Sequence, residues 1–124
     1  MAIDEGKLNE LLRKMVVELG AALVGTNVII GDELGLYKAL AANGPLTSHQ
    51  LAERTGTAER YVREWLAGQA ASGYIDHDSA SGAFHLTPEQ ALVFANTDSP
   101  ALMTGGYYVV ESVYSDIMIL EARP

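Results

Sequence analysis

LTSHQLAERTGTAERYVREWLAGQAASGYIDHDSASGAFHL, residues 46–86, is the stretch that decides the fold of this chain. Thr47, followed three residues later by Gln50, forms a capping box, which predicts the start of a short helix. Gly56 can adopt the left-handed conformation that ends this helix, and Thr57 is expected to begin the next one. Two helices joined by so tight a turn must cross steeply. The first half of the segment therefore predicts a helix-turn-helix.

The second half of the segment predicts one more helix face and a hairpin. The apolar residues of the second helix recur at helical spacing and form one stripe: Val62, Trp65, Leu66 and Ala70. Residues 74–77 and 83–86 alternate apolar and polar side chains about a turn-forming DSASG sequence, which is typical of a β-hairpin. Helix, turn, helix and hairpin follow one another in the order of a winged helix-turn-helix.

The charges in this segment disfavour a role in reading DNA. The chain contains 16 acidic and 8 basic residues, giving a formal net charge of -8, whereas a DNA reader needs a cationic surface to neutralise phosphates. The wing carries Asp76 and Asp78 and no Lys or Arg. Beyond Arg60 and Arg63, the outward side of the second helix presents only Ala and Gly, which cannot hydrogen-bond a base edge. We expect nucleic acid not to be the partner.

Composition indicates one soluble domain. The length of 124 residues is that of a single domain. Cysteine is absent, which excludes disulfides and thiolate metal sites and fits a reducing compartment. The N-terminal MAIDEGKLNELL lacks the apolar core of a signal peptide, and charges in the first predicted helix argue against a membrane span. The expected location is therefore the cytoplasm, without membrane attachment.

Helices are predicted on both sides of the winged segment. A long amphipathic helix is expected from Asp4 to about Val24, and the first helix of the winged core from about residue 27 to residue 42. A second capping box, Thr87 with Gln90, predicts a short helix to about residue 95. A mostly apolar helix should then run over residues 101–121, weakened or kinked at its two adjacent glycines. The expected fold is thus mainly α: one domain, 1–124, with an N-terminal helix (1–25), a winged-helix core (27–86) and C-terminal helices (87–124).

The first and last helices carry more apolar surface than one winged-helix core can cover. Either two copies of the chain exchange these helices across a two-fold axis, or further polypeptide follows Pro124. We favour a homodimer. Its predicted interface consists of large apolar side chains from both helices: Leu11, Leu12, Met15, Val16, Leu19, Val110, Val113, Tyr114, Ile117 and Met118.

Four segments together resemble a known family. They are GDELGLY at 31–37, LAERTG at 51–56, RYVREWL at 60–66 and AASGY at 70–74. In order and spacing they are similar to the N-terminal winged-helix domain of bacterial class I S-adenosylmethionine-dependent methyltransferases, and the resemblance covers about residues 19–108. It implies a domain that pairs two subunits and helps cover the substrate pocket of a catalytic domain that follows in cis.

The sequence departs from the whole-family pattern because no counterpart of the glycine-rich cofactor loop or of the Rossmann-like catalytic domain is present. We therefore expect no catalytic, cofactor-binding or metal-binding residue in this chain, and S-adenosylmethionine only in a longer parent. Tyr107, Tyr108 and Glu111 are the candidates for lining a substrate, since they place polar tips on an apolar helix. Helix packing or dimer contact is the alternative role for them.

Other candidate sites have simpler interpretations. Gly31 and Gly35 resemble a phosphate loop only superficially, and a close helix contact is favoured. His77 and His85 could sit side by side across the hairpin, but a metal site would need further ligands. Trp65 could stack a ligand together with Tyr61, although core packing is favoured. Three functions remain: a dimerisation and substrate-cover domain, a transcriptional regulator, or a free-standing ligand-binding or protein-binding module.

Overall fold

The computed structural model describes residues 2–121, including side chains up to residue 117. Within the described residues, six helices and a two-stranded antiparallel hairpin follow one another as a winged helix-turn-helix with long terminal helices, so the predicted mainly α fold is confirmed. In chain order the elements are α1 (Glu5–Glu33), α2 (Leu36–Asn43), α3 (Ser48–Thr55), α4 (Glu59–Ala71), β1 (Asp76–Asp78), β2 (Ala83–His85), α5 (Pro88–Phe94) and α6 (Thr104–Glu121).

The helix α1 is longer than predicted. Asp4 caps it by accepting a hydrogen bond from the Lys7 amide at 3.1 Å, but the expected interruption near residue 25 is absent. The Thr26 hydroxyl donates to the Leu23 carbonyl at 2.7 Å inside the helix, so this residue does not end it. The chain turns instead at Gly35, whose φ is +70°. The predicted division between an N-terminal helix and the winged core at residues 25–27 is therefore wrong, because α1 belongs to both.

The helix-turn-helix forms as the sequence indicates, with one shift. Both halves of the Thr47–Gln50 capping box are present at the start of α3, and Gly56 ends that helix with a φ of +64°. The N-cap of α4 lies one residue later than predicted. The Thr57 hydroxyl lies 2.7 Å from the Thr55 hydroxyl instead of capping α4, and Ala58 occupies the N-cap position without a side-chain hydrogen bond.

The wing is shorter than its sequence pattern suggests. Strand β1 pairs with β2 in an antiparallel register that places Asp76 opposite His85 and His77 opposite Phe84. Leu46 extends this sheet by exchanging two backbone hydrogen bonds with Phe84, at 2.8 and 2.9 Å. The two wing histidines therefore lie on opposite faces of the hairpin, and the expectation that they could sit side by side is wrong.

The core lies between α2, α3, α4 and the wing, with only the last turns of α1 reaching it. Its buried apolar side chains are Val28, Leu36, Tyr37, Leu40, Leu46, Leu51, Ala52, Val62, Trp65, Leu66, Ile75 and Phe94. The capping box at Thr87 starts α5 as predicted, and Phe94 from α5 stacks on the Tyr37 ring at 4.7 Å between centroids. The helix α6 begins at Thr104, so Gly105 and Gly106 lie in its first turn.

Candidate functional site

An apolar groove of about 390 Å³ runs between α1 and α6. The first turns of α6 meet the C-terminal half of α1, where Tyr107 contacts Gly25. Its lining residues are Ala22, Gly25, Thr26, Ile29 and Ile30 from α1, and Tyr107, Val110, Glu111, Tyr114 and Ser115 from α6. Within the described part of the chain, Glu111 is the only charged side chain that lines this groove.

Gly25 permits a close contact between α1 and α6 in the groove. A Cβ atom on Gly25 would lie 3.1 Å from Cδ1 of Tyr107, so the ring rests directly against the backbone of α1. The Tyr107 hydroxyl lies 3.4 Å from the Tyr74 hydroxyl, which connects α6 to the segment before the wing. The pKa of Tyr107 is raised to about 12, mainly by this hydrogen bond and to a lesser extent by partial burial. At neutral pH the phenol therefore stays protonated and can donate a hydrogen bond.

The three candidate substrate-lining residues divide between two environments. Tyr107 and Glu111 lie in the groove. The Tyr108 hydroxyl donates to Oδ2 of Asp32 at 2.8 Å and thereby attaches the first turns of α6 to the end of α1. The pKa of Tyr108 is raised to about 12, mainly by partial burial and to a lesser extent by this bond to Asp32. Tyr108 therefore serves as a structural link outside the groove, and a substrate role for Tyr107 and Glu111 stays a prediction.

The residues predicted to form a dimer interface are solvent-exposed in the single chain. On α1, Leu11, Leu12, Met15, Val16 and Leu19 are between 50% and 68% exposed, and on α6 Val110, Val113, Tyr114 and Ile117 are between 46% and 59% exposed. The predicted interface residue Met118 lies outside the described side chains. Val110 and Tyr114 of the α6 face line the groove, whereas the predicted interface residues of α1 lie N-terminal to its lining residues.

The helix α1 also contains a stretch long and apolar enough to cross a membrane by length and composition alone. Core helices of soluble proteins pass the same test, and α1 carries charges throughout its N-terminal half, among them a Lys14–Glu18 ion pair at 3.2 Å. This feature shows that α1 has a large apolar surface. The composition of the helix does not identify what buries that surface.

Gly31 is a packing residue. A Cβ atom at this position would lie 2.3 Å from Cζ2 of Trp65 and 2.6 Å from Cε2 of Tyr37. The Trp65 indole also donates to the Asn27 carbonyl of α1 at 2.7 Å, and its side chain is buried. The close helix contact predicted for Gly31 and the core position predicted for Trp65 are therefore confirmed. Tyr61 is 73% exposed and lines a cavity of about 210 Å³ together with Trp65, so a shared ligand-stacking role for the two rings stays a prediction.

A buried polar pair in the core was not predicted from the sequence. The Tyr37 hydroxyl donates to Oε1 of Gln69, and both side chains are almost fully buried. Burial raises the pKa of Tyr37 well above its usual range. Among the described residues, Nε2 of Gln69 has no hydrogen-bond partner. Gln69 lies at helical spacing from Val62 and Leu66, which could have indicated a buried position. It was not included in the predicted apolar stripe because its side chain is polar.

The histidines and carboxylates have local partners. His77 stacks on Phe84 at 4.3 Å between ring centroids, and Nε2 of His85 lies 3.9 Å from Oδ2 of Asp76. No group of three His, Asp or Glu side chains within residues 2–117 is placed to hold a metal ion.

The surface that a DNA reader would use is small and acidic. Ala67 and Ala71 are exposed on α4, and Asp76 and Asp78 are exposed on the wing. Arg63 on the same helix lies 3.9 Å from Glu59, which partly offsets its charge. This surface is suited to close packing against protein more than to contact with phosphates.

Residues 22–96, more than half of the chain, match the Rv2258c-like winged HTH domain. The chain belongs to this family. No curated protein sequence matches it. The matched segment contains the core of the structure. The part of α1 before residue 22 and the described part of α6 lie outside it.

Three solved structures with a similar fold are methyltransferases. The mitomycin 7-O-methyltransferase MmcR superposes with a TM-score of 0.69 at 23% identity over 84% of this chain and 30% of that one. RosA, an N,N-8-amino-8-demethyl-D-riboflavin dimethyltransferase from Streptomyces davawensis, gives a TM-score of 0.61 at 26% identity over 80% and 28%. Human N-acetylserotonin methyltransferase, solved in complex with S-adenosylmethionine, gives 0.64 at 20% identity over 86% and 31%.

The resemblance to a methyltransferase winged-helix domain is therefore confirmed. This chain spans between 28% and 31% of the length of these three enzymes.

Proposed function

We propose that this chain is the dimerisation and substrate-cover domain of an S-adenosylmethionine-dependent methyltransferase and is not catalytic in isolation. The observation that carries the proposal is the uncovered apolar surface of α1 and α6, attached to a winged helix whose fold matches part of several methyltransferases. S-Adenosylmethionine enters the proposal through those enzymes, with a catalytic domain in cis as the partner that would bind it.

The energetics favour association of two copies. Each large apolar side chain left in water forgoes roughly 1.5 to 3 kcal/mol relative to burial. The α1 and α6 faces expose nine such predicted interface side chains on each described chain, namely Leu11, Leu12, Met15, Val16, Leu19, Val110, Val113, Tyr114 and Ile117. Association costs roughly 4 to 15 kcal/mol, so covering these faces is sufficient to hold a dimer.

The substrate-cover role rests on the groove. An apolar channel with a protonated phenol at Tyr107 and a carboxylate at Glu111 has the composition of a small-molecule pocket, with a few polar groups on an apolar lining. Placed against a catalytic domain, such a surface excludes water from the reacting atoms and orients a substrate. This role depends on the methyltransferase assignment.

Light scattering on the unmodified chain and on a Val113→Asp/Ile117→Asp double variant tests the dimer. We expect the unmodified chain to be a dimer at micromolar concentration and the variant to be monomeric or aggregated. Leu92→Asp is the control, since Leu92 is 45% exposed on α5, outside both faces. A monodisperse, monomeric unmodified chain would overturn the dimer proposal.

Calorimetric titration with S-adenosylmethionine tests whether cofactor binding belongs to a domain other than this one. We expect no measurable binding to this chain, because its sequence contains no glycine-rich strand-to-helix loop that could hold the cofactor. A stoichiometric, micromolar interaction would contradict the assignment of cofactor binding to another domain. If the coding sequence continues beyond Pro124, the longer product is expected to bind the cofactor.

A regulatory role is disfavoured by the exposed alanines of α4 and the acidic wing. Fluorescence anisotropy with duplex DNA should give a Kd weaker than about 1 μM at physiological salt, without sequence preference. Arg60→Ala/Arg63→Ala should leave that weak binding almost unchanged. Tight binding to one sequence that this double variant abolishes would favour the regulator instead.

A further inference from the structure

We infer that the cavity between the end of α1 and the first turns of α4, called the α1–α4 cavity below, binds a neutral, planar aromatic molecule of about two fused rings against Tyr61 and Trp65. The cavity has a volume of about 210 Å³, and residues of a single chain line it. It shares one lining residue, Ile30, with the α1–α6 groove. This site is additional to the proposed methyltransferase role and does not depend on a dimer.

The lining of the α1–α4 cavity is largely apolar. Three buried side chains form its floor, namely Leu36, Val62 and Trp65. Three side chains that are between 43% and 73% exposed form its rim, namely Ile30, Leu34 and Tyr61. Among the residues that the structure describes, no charged side chain lines the cavity. An ionised ligand would lose hydration there without meeting an opposite charge, so the lining favours a neutral ligand.

Two polar groups of the lining already have hydrogen-bond partners. The Trp65 indole N–H donates to the Asn27 carbonyl at 2.7 Å. The Thr57 hydroxyl, which also lines the cavity, lies 2.7 Å from the Thr55 hydroxyl. A ligand with several polar ring atoms would therefore give up hydrogen bonds to water without replacing them. The floor selects ligands by apolar and aromatic contact.

The two aromatic residues of the lining favour an aromatic ligand. Tyr61 and Trp65 lie four residues apart on α4, so their side chains are neighbours on one face of the helix. The Trp65 ring meets the Tyr37 ring edge to face, at 5.0 Å between centroids, which fixes its position before a ligand arrives. Aromatic rings gain stabilisation from stacked or edge-to-face contacts beyond the area they bury. An aromatic ligand is thus preferred over an aliphatic one of equal volume.

The volume of the cavity sets the size of the ligand. An engineered apolar cavity of about 150 Å³ in another protein binds benzene. A cavity of about 210 Å³ has room for one further fused ring. Binding would also remove the exposed rim, Leu34 and Tyr61 in particular, from water. Indole matches these requirements, since it is neutral, planar and bicyclic and has a single N–H group that can stay at the open rim.

Titration of the ¹⁵N-labelled chain with unlabelled indole tests the site by NMR. Trp65 is the only tryptophan in the chain, so its side-chain N–H gives one indole resonance, which reports from the floor of the cavity. We expect this resonance to shift in a saturable manner with a Kd of roughly 0.1 to 1 mM, as for other ligands of this size. The amide of Gly82, in the turn of the wing and outside the lining, should not shift.

Variants of Tyr61 test its contact with the ligand. Tyr61→Ala removes one aromatic wall and should weaken indole binding roughly 5- to 10-fold. Tyr61→Phe keeps the ring and should bind indole as the unmodified chain does. Leu92→Ala is the matched control, because it also shortens a large, exposed apolar side chain but lies on α5, outside the cavity. It should leave the affinity for indole unchanged.

Adenine tests the class of the ligand. It resembles indole in size and shape, but its ring nitrogens and amino group need hydrogen-bond partners that the floor does not supply, so it should bind at least roughly 10-fold more weakly. Equal affinity for adenine and indole would overturn the assignment to a neutral, apolar ligand.

The remaining outcomes separate this inference from the proposed function. An unchanged Trp65 resonance at about 5 mM indole, well above the expected Kd, overturns the inference. A shift that Tyr61→Ala does not weaken also overturns it, because the ligand would then bind elsewhere. Neither result affects dimerisation or the assignment of cofactor binding to another domain. Conversely, a monomeric chain that binds indole as expected overturns the dimer and leaves this site standing.

Discussion

The Tyr108 hydroxyl donates a hydrogen bond to Oδ2 of Asp32 at 2.8 Å, which joins the first turns of α6 to the last turn of α1 across 76 residues of sequence. Together with the contact of Tyr107 on Gly25, this bond fixes the angle at which α6 leaves the core. The groove between the two helices depends on that angle. Tyr108 thus acts on the candidate site without lining it.

Tyr108→Phe removes this bond and leaves the ring. We expect the free energy of unfolding to fall by about 1 kcal/mol, because the hydrogen bond is partly exposed to water. Chemical denaturation measures the change. Asp32→Asn is the companion variant, since an amide oxygen can still accept from Tyr108, and it should be less harmful. Equal stability of Tyr108→Phe and the unmodified chain would show that the bond does not hold α6.

Stability should fall at alkaline pH because of the tyrosines at the α6 attachment. The pKa values of Tyr107 and Tyr108 are raised from 10.0 to about 12 in the folded chain. The folded state therefore holds these protons more tightly than the unfolded state, and the resulting stabilisation is fully present below pH 10 and lost as the pH rises through about 12.

Denaturation at about pH 9 and about pH 11 measures this dependence. The loss between these values should be smaller in Tyr107→Phe/Tyr108→Phe, which lacks both ionisable groups. Burial of Tyr37 contributes a loss of the same sign that remains in the double variant. An identical loss in the double variant and the unmodified chain would show that the two α6 tyrosines do not contribute.

Gly31→Ala should destabilise the chain because the new methyl group would enter the Trp65 and Tyr37 rings, at 2.3 and 2.6 Å before any adjustment. Relieving this overlap also strains the bond from Trp65 to the Asn27 carbonyl. We expect the free energy of unfolding to fall by about 1 to 3 kcal/mol. Chemical denaturation monitored by the fluorescence of Trp65, the only tryptophan in the chain, measures this loss.

Gly106→Ala is the matched control for this substitution. A Cβ atom on Gly106 would meet no atom within 4 Å, and alanine is the better helix former. We expect this variant to be as stable as the unmodified chain or up to about 1 kcal/mol more stable. If both substitutions have the same effect, helix propensity and not the Trp65 contact governs position 31.

Local signals were sufficient to predict much of the fold. The capping boxes at Thr47 and Thr87 were found because both partners lie within three residues of each other, and Gly56 because its turn requires a positive φ. The break predicted near Thr26 was wrong for a reason visible only in three dimensions. Its hydroxyl donates to a carbonyl within α1, and the neighbouring Gly25 lies inside the helix against the ring of Tyr107.

The candidate site was less accessible to sequence reasoning. Tyr107, Tyr108 and Glu111 were selected as a group because they share one helix, but the structure separates Tyr108 from the groove through its bond with Asp32. That partner comes from a distant element, and no spacing rule within α6 could indicate it. The same limitation hid the pairing of Tyr37 with Gln69, which joins α2 to α4 inside the core.

The Tyr37–Gln69 pair should behave as a coupled unit. Tyr37→Phe leaves the Gln69 amide buried with no hydrogen-bond partner among the described residues, and Gln69→Leu leaves the Tyr37 hydroxyl buried and unpaired. We expect each single variant to lose about 1 to 3 kcal/mol of unfolding free energy. The double variant should lose less than the sum, because it removes both polar groups together. Chemical denaturation of all four proteins measures this coupling, and strictly additive losses would show that the hydrogen bond contributes nothing to stability.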